Sequence, residues 1–268
     1  MKRVALLGTR GIPAQHGGFE TAVQFIGPGL VEHGWDVTVY CRNPGQHLRA
    51  YHGTRLVNLP ALRLKAAETL SHTALSTGHA LFGHFDVAIV FNSGNAPFVR
   101  PLQWRGVPVA VHVDGLEAQR AKWEGFGAKY YAWAERTSVK HADAVIADAH
   151  GIADHIQRTY GRESVYLPYG APLTNPPAPR LAELGLAEQR YHLTVARFEP
   201  ENHVLEIVRG YRRSTARLPL IVVGAASYSH DYSQAVAQAA AGDPRVRLLG
   251  SVWDQELLDQ LYVGARSV

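Results

Sequence analysis

Short apolar runs alternate with helix-length amphipathic stretches along most of the chain, and this alternation restricts the fold more than any other feature. It is typical of βαβ units that build a parallel sheet. The run Val87–Phe91 is apolar at every position, as expected for a strand covered by helices on both sheet faces. The strands predicted up to residue 170 are Arg3–Leu7, Asp36–Cys41, Arg55–Leu59, Val87–Phe91, Val107–His112, Ala144–Ala147 and Ser164–Leu167. The helices predicted there are Thr21–His33, Leu62–Phe82, Ala121–Lys140 and Gly151–Tyr160.

Five prolines between Pro168 and Pro179 interrupt this pattern, and neither a helix nor a central strand tolerates that density. We therefore predict a first domain over residues 1–170, a linker over 171–189 and a second domain over 190–268. The strands predicted in the second domain are Tyr191–Ala196, Leu218–Val223 and Val246–Leu249. Its predicted helices are Val204–Ser214, Tyr232–Ala241 and Asp254–Val263. Three βα units are fewer than a doubly wound domain usually has, so we expect this domain to be incomplete.

Composition narrows the class of protein. The 268 residues are 46% hydrophobic, which is enough for a sizeable core, and the single Cys41 fits a reducing compartment. The apolar run Val4–Leu7 is shorter than a signal peptide requires, and no run reaches the roughly 18 apolar residues of a membrane span. We expect a cytoplasmic protein. The net charge of +4 suits anionic partners such as nucleotide phosphates or an acidic membrane leaflet.

A glycine-rich loop follows the first predicted strand, at the edge where open α/β sheets bind ligands. Gly17 and Gly18 allow close approach to a ligand, the next helix offers free N–H groups to a phosphate, and Arg10 can add a charged contact. Glu20 either takes part in this site or simply caps the helix. Two alternatives stay open: a long turn without ligand, and an NADP site in which Arg42 meets the 2′-phosphate. The spacing does not match G-x-G-x-x-G.

The segment Gly8-Thr9-Arg10-Gly11-Ile12-Pro13-Ala14, followed by Gly17-Gly18-Phe19-Glu20-Thr21, resembles the opening motif of bacterial rhamnosyltransferase-like proteins in glycosyltransferase family 4. The resemblance implies a GT-B fold, with an acceptor-side Rossmann-like domain followed by one for the nucleotide sugar. It implies hexosyl transfer, rhamnosyl in particular, from a nucleoside-diphosphate sugar to a glycan or polyprenyl-linked acceptor in cell-surface polysaccharide synthesis. The reaction would retain the anomeric configuration and need neither metal nor cofactor.

A histidine and two carboxylates lie where the fifth predicted strand ends. Alternation places His112 and Asp114 on the same side of that strand, and Glu117 follows in the turn. Such groups can hold sugar hydroxyls and stabilise positive charge at an anomeric carbon. The resemblance implies that His112 contacts the transferred sugar. The alternatives are a strand-end histidine satisfied by backbone and carboxylates that cap the next helix.

Aromatic and basic residues then share one predicted helix. They are Lys122, Trp123, Lys129, Tyr130, Tyr131, Trp133 and Arg136. This stripe can rest on the inner face of a membrane or face an isoprenoid-linked acceptor, or it can serve packing with a solvated rim. The segment Tyr166–Ala171 resembles the family's interdomain turn, which implies that the backbone of Gly170 faces the cleft.

In the second domain, Arg197 matches the family's arginine that grips the donor diphosphate, and Asn202 stands where many members have a lysine. A surface ion pair between Arg197 and Glu199 or Glu201 is the alternative. Gly224 and Gly250 follow the next two predicted strands and resemble turns that line the nucleotide.

The family's next segment carries a pair of glutamates that hold the donor, and this sequence stops about where it should begin. Three functions therefore remain: a glycosyltransferase, a truncated sugar- or nucleotide-binding homologue without turnover, and an NADP-linked oxidoreductase.

Overall fold

The computed structural model describes residues 1–14, 17–42, 48–62, 68–113, 115, 125–170, 179–226 and 230–268. The chain divides into two compact units, Met1–Gly170 and Ala171–Val268. Both consist mainly of parallel strands connected by helices, so the predicted α/β fold class is confirmed. Within the described residues, no helix combines the length and the apolar character needed to cross a membrane.

The first unit contains one sheet and its covering helices. Its strands are β1 (Arg3–Leu7), β2 (Asp36–Cys41), β3 (Ala50–Tyr51), β4 (Thr54–Asn58), β5 (Val87–Phe91), β6 (Val109–Val113), β7 (Ala144–Ala147) and β8 (Val165–Tyr166). Its α-helices are α1 (Gly18–Glu32), α2 (Glu68–Ala80), α3 (Val99–Trp104), α4 (Phe126–His141) and α5 (His150–Tyr160). The sequence did not predict β3 or α3, since two residues and six residues are too short for a periodic pattern.

The sheet has the strand order β3-β4-β2-β1-β5-β6-β7-β8, and every pair is parallel except β3 with β4. The chain proceeds from β1 to one side through β2 and later returns to the other side through β5. The order therefore reverses between β1 and β5. Ligands of open α/β sheets bind outside the carboxyl ends of the strands at such a reversal.

Alternate residues of the central strands pack into two hydrophobic cores, one on each face of this sheet. On β1, Ala5 and Leu7 belong to the core that includes Val139 of α4, whereas Val4 and Leu6 belong to the core that includes Val23 of α1. Ala5, Leu6 and Leu7 are completely buried. Burial on both faces explains why these strands are continuous apolar runs.

The second unit has a smaller parallel sheet in the order β11-β10-β9. Its elements are β9 (His192–Val195), α6 (Val204–Arg213), β10 (Leu220–Val223), α7 (His230–Ala240), β11 (Val246–Gly250) and α8 (Gln255–Gly264). The second half of the predicted linker packs into this unit: Pro179–Leu184 forms a 3₁₀ helix, and Leu181 and Leu186 are buried with Tyr191 in this unit's core. Residues 171–178 of that linker lie outside the described residues.

Helix starts differ most from the sequence prediction. Helix α1 begins at Gly18 rather than Thr21, because glycine at a helix start carries little apolar signal. Leu62, where a helix was predicted to begin, is not helical: its N–H donates to the Ser71 hydroxyl, and the described part of α2 is Glu68–Ala80. Residues 63–67 and 121–124, where two predicted helices begin or continue, lie outside the described residues.

Candidate functional site

The loop after β1 is pressed against the ends of two neighbouring strands. Gly8 has φ +91°, and a Cβ there would lie 2.4 Å from the carbonyl oxygen of Phe91. Gly11 has φ +104°, and its Cβ would lie 2.5 Å from the Cβ of Cys41. These two glycines are therefore required by packing against β5 and β2, whether or not a ligand is bound.

Gly17 and Gly18 start helix α1, and both are exposed. The carboxylate of Glu20 folds back over this helix end, where its Oε1 accepts the N–H of Arg10 at 2.8 Å. The Glu20 side chain is buried, and a Cβ on Gly17 would lie 2.5 Å from its Oε2. A negative charge thus already occupies the positive end of the helix dipole, and the contact with the Arg10 N–H ties the loop to α1.

Arg10 and Arg42 meet through their backbones, since the N–H of Arg42 donates to the carbonyl of Arg10 at 2.9 Å. The guanidinium of Arg42 also donates to the hydroxyl of Thr69 on α2 at 2.9 Å. Arg42 therefore ties the end of β2 to α2. This contact supplies a structural role for the residue that the NADP alternative had assigned to a 2′-phosphate.

His112 lies on β6, beside the last residue of β5, and is 4% exposed. Three aromatic rings contact its imidazole. Phe91 and Tyr169 lie nearly parallel to it, with centroid distances of 5.3 and 5.5 Å and interplanar angles of 26° and 5°. Phe19 meets it edge-on at 5.6 Å and 82°. Because Phe19 stands between Gly18 and Glu20, this contact places the glycine loop beside His112.

The Nδ1 atom of His112 is buried and has no hydrogen-bond partner among the described residues. The alternative of a histidine satisfied by backbone therefore does not account for that atom. Burial lowers the pKa of His112 to about 4, so the imidazole is neutral at physiological pH. A neutral imidazole can exchange hydrogen bonds with sugar hydroxyls but holds no positive charge.

A polar turn after β5, which the sequence analysis missed, completes this edge of the sheet. Asn92 has φ +70°, and its side chain accepts the N–H of Gly94 at 2.7 Å. Asn95 is fully buried and donates to the carbonyl of Phe91 at 2.8 Å, while its Oδ1 has no partner among the described residues. The signal was available: Asn-Ser-Gly-Asn directly follows a predicted buried strand. Tyr169 was missed as well, because its stack on His112 is a tertiary contact.

The aromatic–basic stripe divides into two parts. Tyr130 donates to the carbonyl of Gly94 at 2.7 Å, and a Cβ on Gly94 would lie 2.7 Å from the Tyr131 ring, so both tyrosines pack against the polar turn. Trp133 is half exposed and Lys129 is exposed. The other site residues predicted nearby lie outside the described residues; they are Asp114, Glu117, Lys122 and Trp123.

In the second unit, the turns after all three strands are joined to one another. The N–H of Gly224 donates to the carbonyl of Gly250 at 2.8 Å, and the N–H of Phe198 donates to Ala225 at 3.0 Å. Gly224 has φ +141°, and a Cβ there would overlap the carbonyl oxygen of Ala196 at 1.8 Å. The position of Gly224 therefore requires glycine for close packing.

Arg197 and Asn202 lie on the first of these turns. Asn202 donates its side-chain N–H to the backbone carbonyl of Arg197 at 2.8 Å. The Arg197 side chain is exposed. Asn202 thus shapes the turn that presents Arg197. Within the described residues of both units, no group of three or more histidine, cysteine, aspartate or glutamate side chains is arranged to hold a metal.

Known structures share this fold at low sequence identity. Sucrose-phosphate synthase from Thermosynechococcus elongatus matches with a TM-score of 0.80 and 19% identity, over 99% of this chain and 74% of that one. HepE from Anabaena, in complex with UDP and glucose, matches with a TM-score of 0.73 and 17% identity, over 99% of this chain and 72% of that one. A UDP-N-acetylglucosamine 2-epimerase from Rickettsia bellii matches with a TM-score of 0.61 and 11% identity, over 100% of this chain and 74% of that one.

These neighbours establish a GT-B-type fold, and because an epimerase shares it, the fold alone does not decide the activity. Comparison with individual curated sequences finds no match. The sequence profile of the glycosyl transferase 4-like domain, in contrast, matches residues 17–170, which is more than half of the chain. That range includes Gly17, Gly18, Glu20, His112 and Tyr169. The chain belongs to the glycosyl transferase 4-like family, and it is a glycosyltransferase by that membership.

Proposed function

We propose that this glycosyltransferase moves a hexose, with rhamnose as the first candidate, from a nucleoside-diphosphate sugar to a glycan or polyprenyl-linked acceptor. The transfer retains the anomeric configuration and serves bacterial cell-surface polysaccharide synthesis. The observation that carries the proposal is the neutral, ring-enclosed His112 at the carboxyl edge of the sheet, beside the strand-order reversal. The family match and the opening motif from Gly8 to Thr21 support it.

In this proposal, His112 binds the transferred sugar by hydrogen bonding. A neutral imidazole suits that role, because a cation would oppose the positive charge that develops at the anomeric carbon. Asp114, two residues further along the chain, is assigned to stabilising that positive charge. The sugar hydroxyls would also find polar groups in the turn around Asn92 and Asn95.

The glycine loop is assigned to the acceptor rather than to the donor phosphates. The carboxylate of Glu20 at the start of α1 makes that helix end a poor anion site. Gly17 and Gly18 leave the loop backbone open, and Arg10 supplies a positive charge beside it. A hydroxyl acceptor, presented by a glycan or by a lipid-linked sugar phosphate, fits these groups better than a bare diphosphate does.

The second unit is assigned to the donor, with residues 190–268 as its nucleotide-sugar-binding part. The exposed guanidinium of Arg197 grips the diphosphate, and Asn202 holds the turn that presents it. Gly224 and Gly250 line the base and the ribose. UDP is the first base to test, because HepE, which shares the fold, was solved with UDP and glucose.

A polyprenyl-linked acceptor would bring the protein to the inner face of the cytoplasmic membrane. The exposed Lys129 and the half-exposed Trp133 on α4 suit contact with that surface. We propose peripheral attachment there, with the rest of the protein in the cytoplasm.

The test is calorimetric titration of the chain with UDP, dTDP and GDP. We expect saturable binding of one of them, weakened about tenfold in Arg197→Ala, which corresponds to about 1.4 kcal/mol for a lost charged contact. Arg209→Ala is the matched control, since Arg209 is an exposed arginine on α6. Equal affinities for the two variants would remove Arg197 from the donor site.

Release of nucleoside diphosphate from UDP-glucose, dTDP-rhamnose and GDP-mannose then separates an enzyme from a binding protein. Turnover of one donor supports the proposal, and its base and sugar define the donor. Binding without turnover of any donor would favour the non-catalytic alternative.

A further inference from the structure

Tyr169 holds an unusual place beside His112. It is the penultimate residue of the first unit, follows Pro168 and belongs to no helix or strand. Its ring nonetheless lies within 5° of parallel to the imidazole, and a Cβ on Gly18 would lie 3.4 Å from its Cε2. The ring therefore fits between the start of α1 and the histidine.

The three rings around His112 differ in how firmly they are held. Phe91 is 1% exposed on a central strand, and Phe19 belongs to the first turn of α1. Tyr169 is 38% exposed and stacks on an imidazole that is itself 4% exposed, so it is the most exposed of the three rings. Loss of the Tyr169 ring is thus the change that would admit water to His112 with the least disturbance of the core.

A hydrogen bond at Nδ1 does not fix the orientation of the His112 ring, because that atom has no partner among the described residues. A ring that lacks such a bond can turn about its side-chain torsions unless packing prevents it. The two nearly parallel rings, Phe91 and Tyr169, provide that packing.

We propose that Tyr169 is a positioning residue, whose ring fixes the plane of the His112 imidazole and keeps it dry for contact with the transferred sugar. The inference rests on the proposed function, in which His112 binds that sugar. It concerns the ring of Tyr169 rather than its hydroxyl. Phenylalanine should therefore substitute for tyrosine, whereas alanine should not.

The chain offers a matched control three residues earlier. Tyr166 stacks on His150 with a centroid distance of 4.0 Å and an interplanar angle of 22°, and it is 40% exposed. Tyr166→Ala therefore removes a tyrosine of similar exposure from a tyrosine–histidine stack without touching His112.

The first experiment follows the histidine ring signals by NMR in the full chain without ligand, with His112 assigned by their loss in His112→Gln. Burial holds the pKa of His112 to about 4. In Tyr169→Ala we expect the titration midpoint of His112 to rise by about one pH unit as water reaches the ring. Tyr169→Phe and Tyr166→Ala should leave it near the wild-type value. An unchanged midpoint in Tyr169→Ala would overturn the proposal.

The second experiment measures UDP release from UDP-glucose. We expect Tyr169→Ala to lower kcat about tenfold with little change in KM, and Tyr169→Phe to restore it. A faster Tyr169→Ala would overturn the proposal and mark the ring as an obstruction. If the NMR result holds and the wild-type chain releases no UDP, the positioning of His112 stands while the proposed use of UDP-glucose fails.

Discussion

The two units differ in how far the candidate side chains at the carboxyl edges of their sheets are buried. In the first unit the candidate side chains of Glu20 and His112 are buried: Glu20 accepts the N–H of Arg10, and three aromatic rings enclose His112. In the second unit Arg197 is exposed on a turn that its neighbours shape. In the proposed function the first edge orients a reacting group, which needs a dry and rigid setting, whereas the second attracts an anion, which needs an accessible charge.

The largest expected effect comes from a glycine in the second unit, because the carboxyl edge of its sheet contains a position that tolerates no side chain. Gly224→Ala would set a Cβ against the carbonyl oxygen of Ala196 at φ +141°, whereas Gly250 has φ +71° with nothing within 4 Å of its Cβ. We expect Gly224→Ala to lower the free energy of unfolding of the second unit by about 4 kcal/mol, and Gly250→Ala by about 1 kcal/mol.

Hydrogen exchange resolved by segment can measure both variants. Amides of β10 should lose protection in Gly224→Ala while those of β1 keep it. Equal effects of the two substitutions would show that the turn after β10 yields to a side chain, and the second edge would then be loosely built throughout.

Acidification should destabilise the first unit more than the second, because the buried histidines among the described residues lie in the first. Burial lowers the pKa of both His72 and His112 to about 4. The unfolded chain binds protons at about pH 6.5, so between pH 6.5 and 4 it binds more protons than the folded state, and acidification favours unfolding. Each histidine should cost about 2 kcal/mol of unfolding free energy at pH 5 relative to pH 7.5. The described residues of the second unit include no buried histidine.

Denaturant unfolding at pH 7.5 and pH 5, followed by segment-resolved exchange, tests this. His72→Gln should remove about half of the acid sensitivity of the first unit, whereas His84→Gln, at an exposed position, should change nothing. If acidification lowered the free energy of unfolding of both units equally, the buried neutral histidines would not be the cause of the acid sensitivity.

The sequence predicted the fold better than it predicted the site, and the reason is physical. The bounds of β1, β2, β5 and β7 follow directly from apolar runs bounded by polar residues or glycine, because a strand buried on both faces must be apolar throughout. The same pattern led to the α/β class. It could not predict that Pro179–Leu184 packs as a 3₁₀ helix, since a cluster of prolines indicates only that α-helix and central strand are excluded.

Within the site, the glycine loop and His112 were recognisable because their residue types follow predicted strands. The residues that surround them could not be recognised from the sequence. The stack of Tyr169 on His112 joins residues far apart in the chain, and the sequence left open whether Glu20 takes part in the site or caps the helix. The buried amide of Asn95 likewise depends on the approach of Gly8 to β5, which no local pattern reports.

The smallest expected effect concerns Glu20, and it tests which edge binds phosphate. Glu20→Gln keeps an oxygen for the N–H of Arg10 but removes the negative charge at the start of α1. We expect a loss of about 1 kcal/mol in the stability of the first unit, because a charge-assisted hydrogen bond becomes a neutral one. Affinity for UDP should stay unchanged if the diphosphate belongs to the second unit. Glu32→Gln, exposed at the far end of α1, is the control and should change neither quantity.

Two other outcomes would change the role assigned to the start of α1 in different ways. Stronger UDP binding in Glu20→Gln, as expected when a negative charge beside a diphosphate is removed, would place the nucleotide against the glycine loop, and the division between an acceptor edge and a donor edge would be wrong. Stronger binding of inorganic phosphate with unchanged UDP affinity would show instead that the helix end is an anion site which Glu20 normally blocks. In that case the carboxylate selects for hydroxyl acceptors by excluding phosphate. The two edges would then differ in their preference for anions as well as in rigidity.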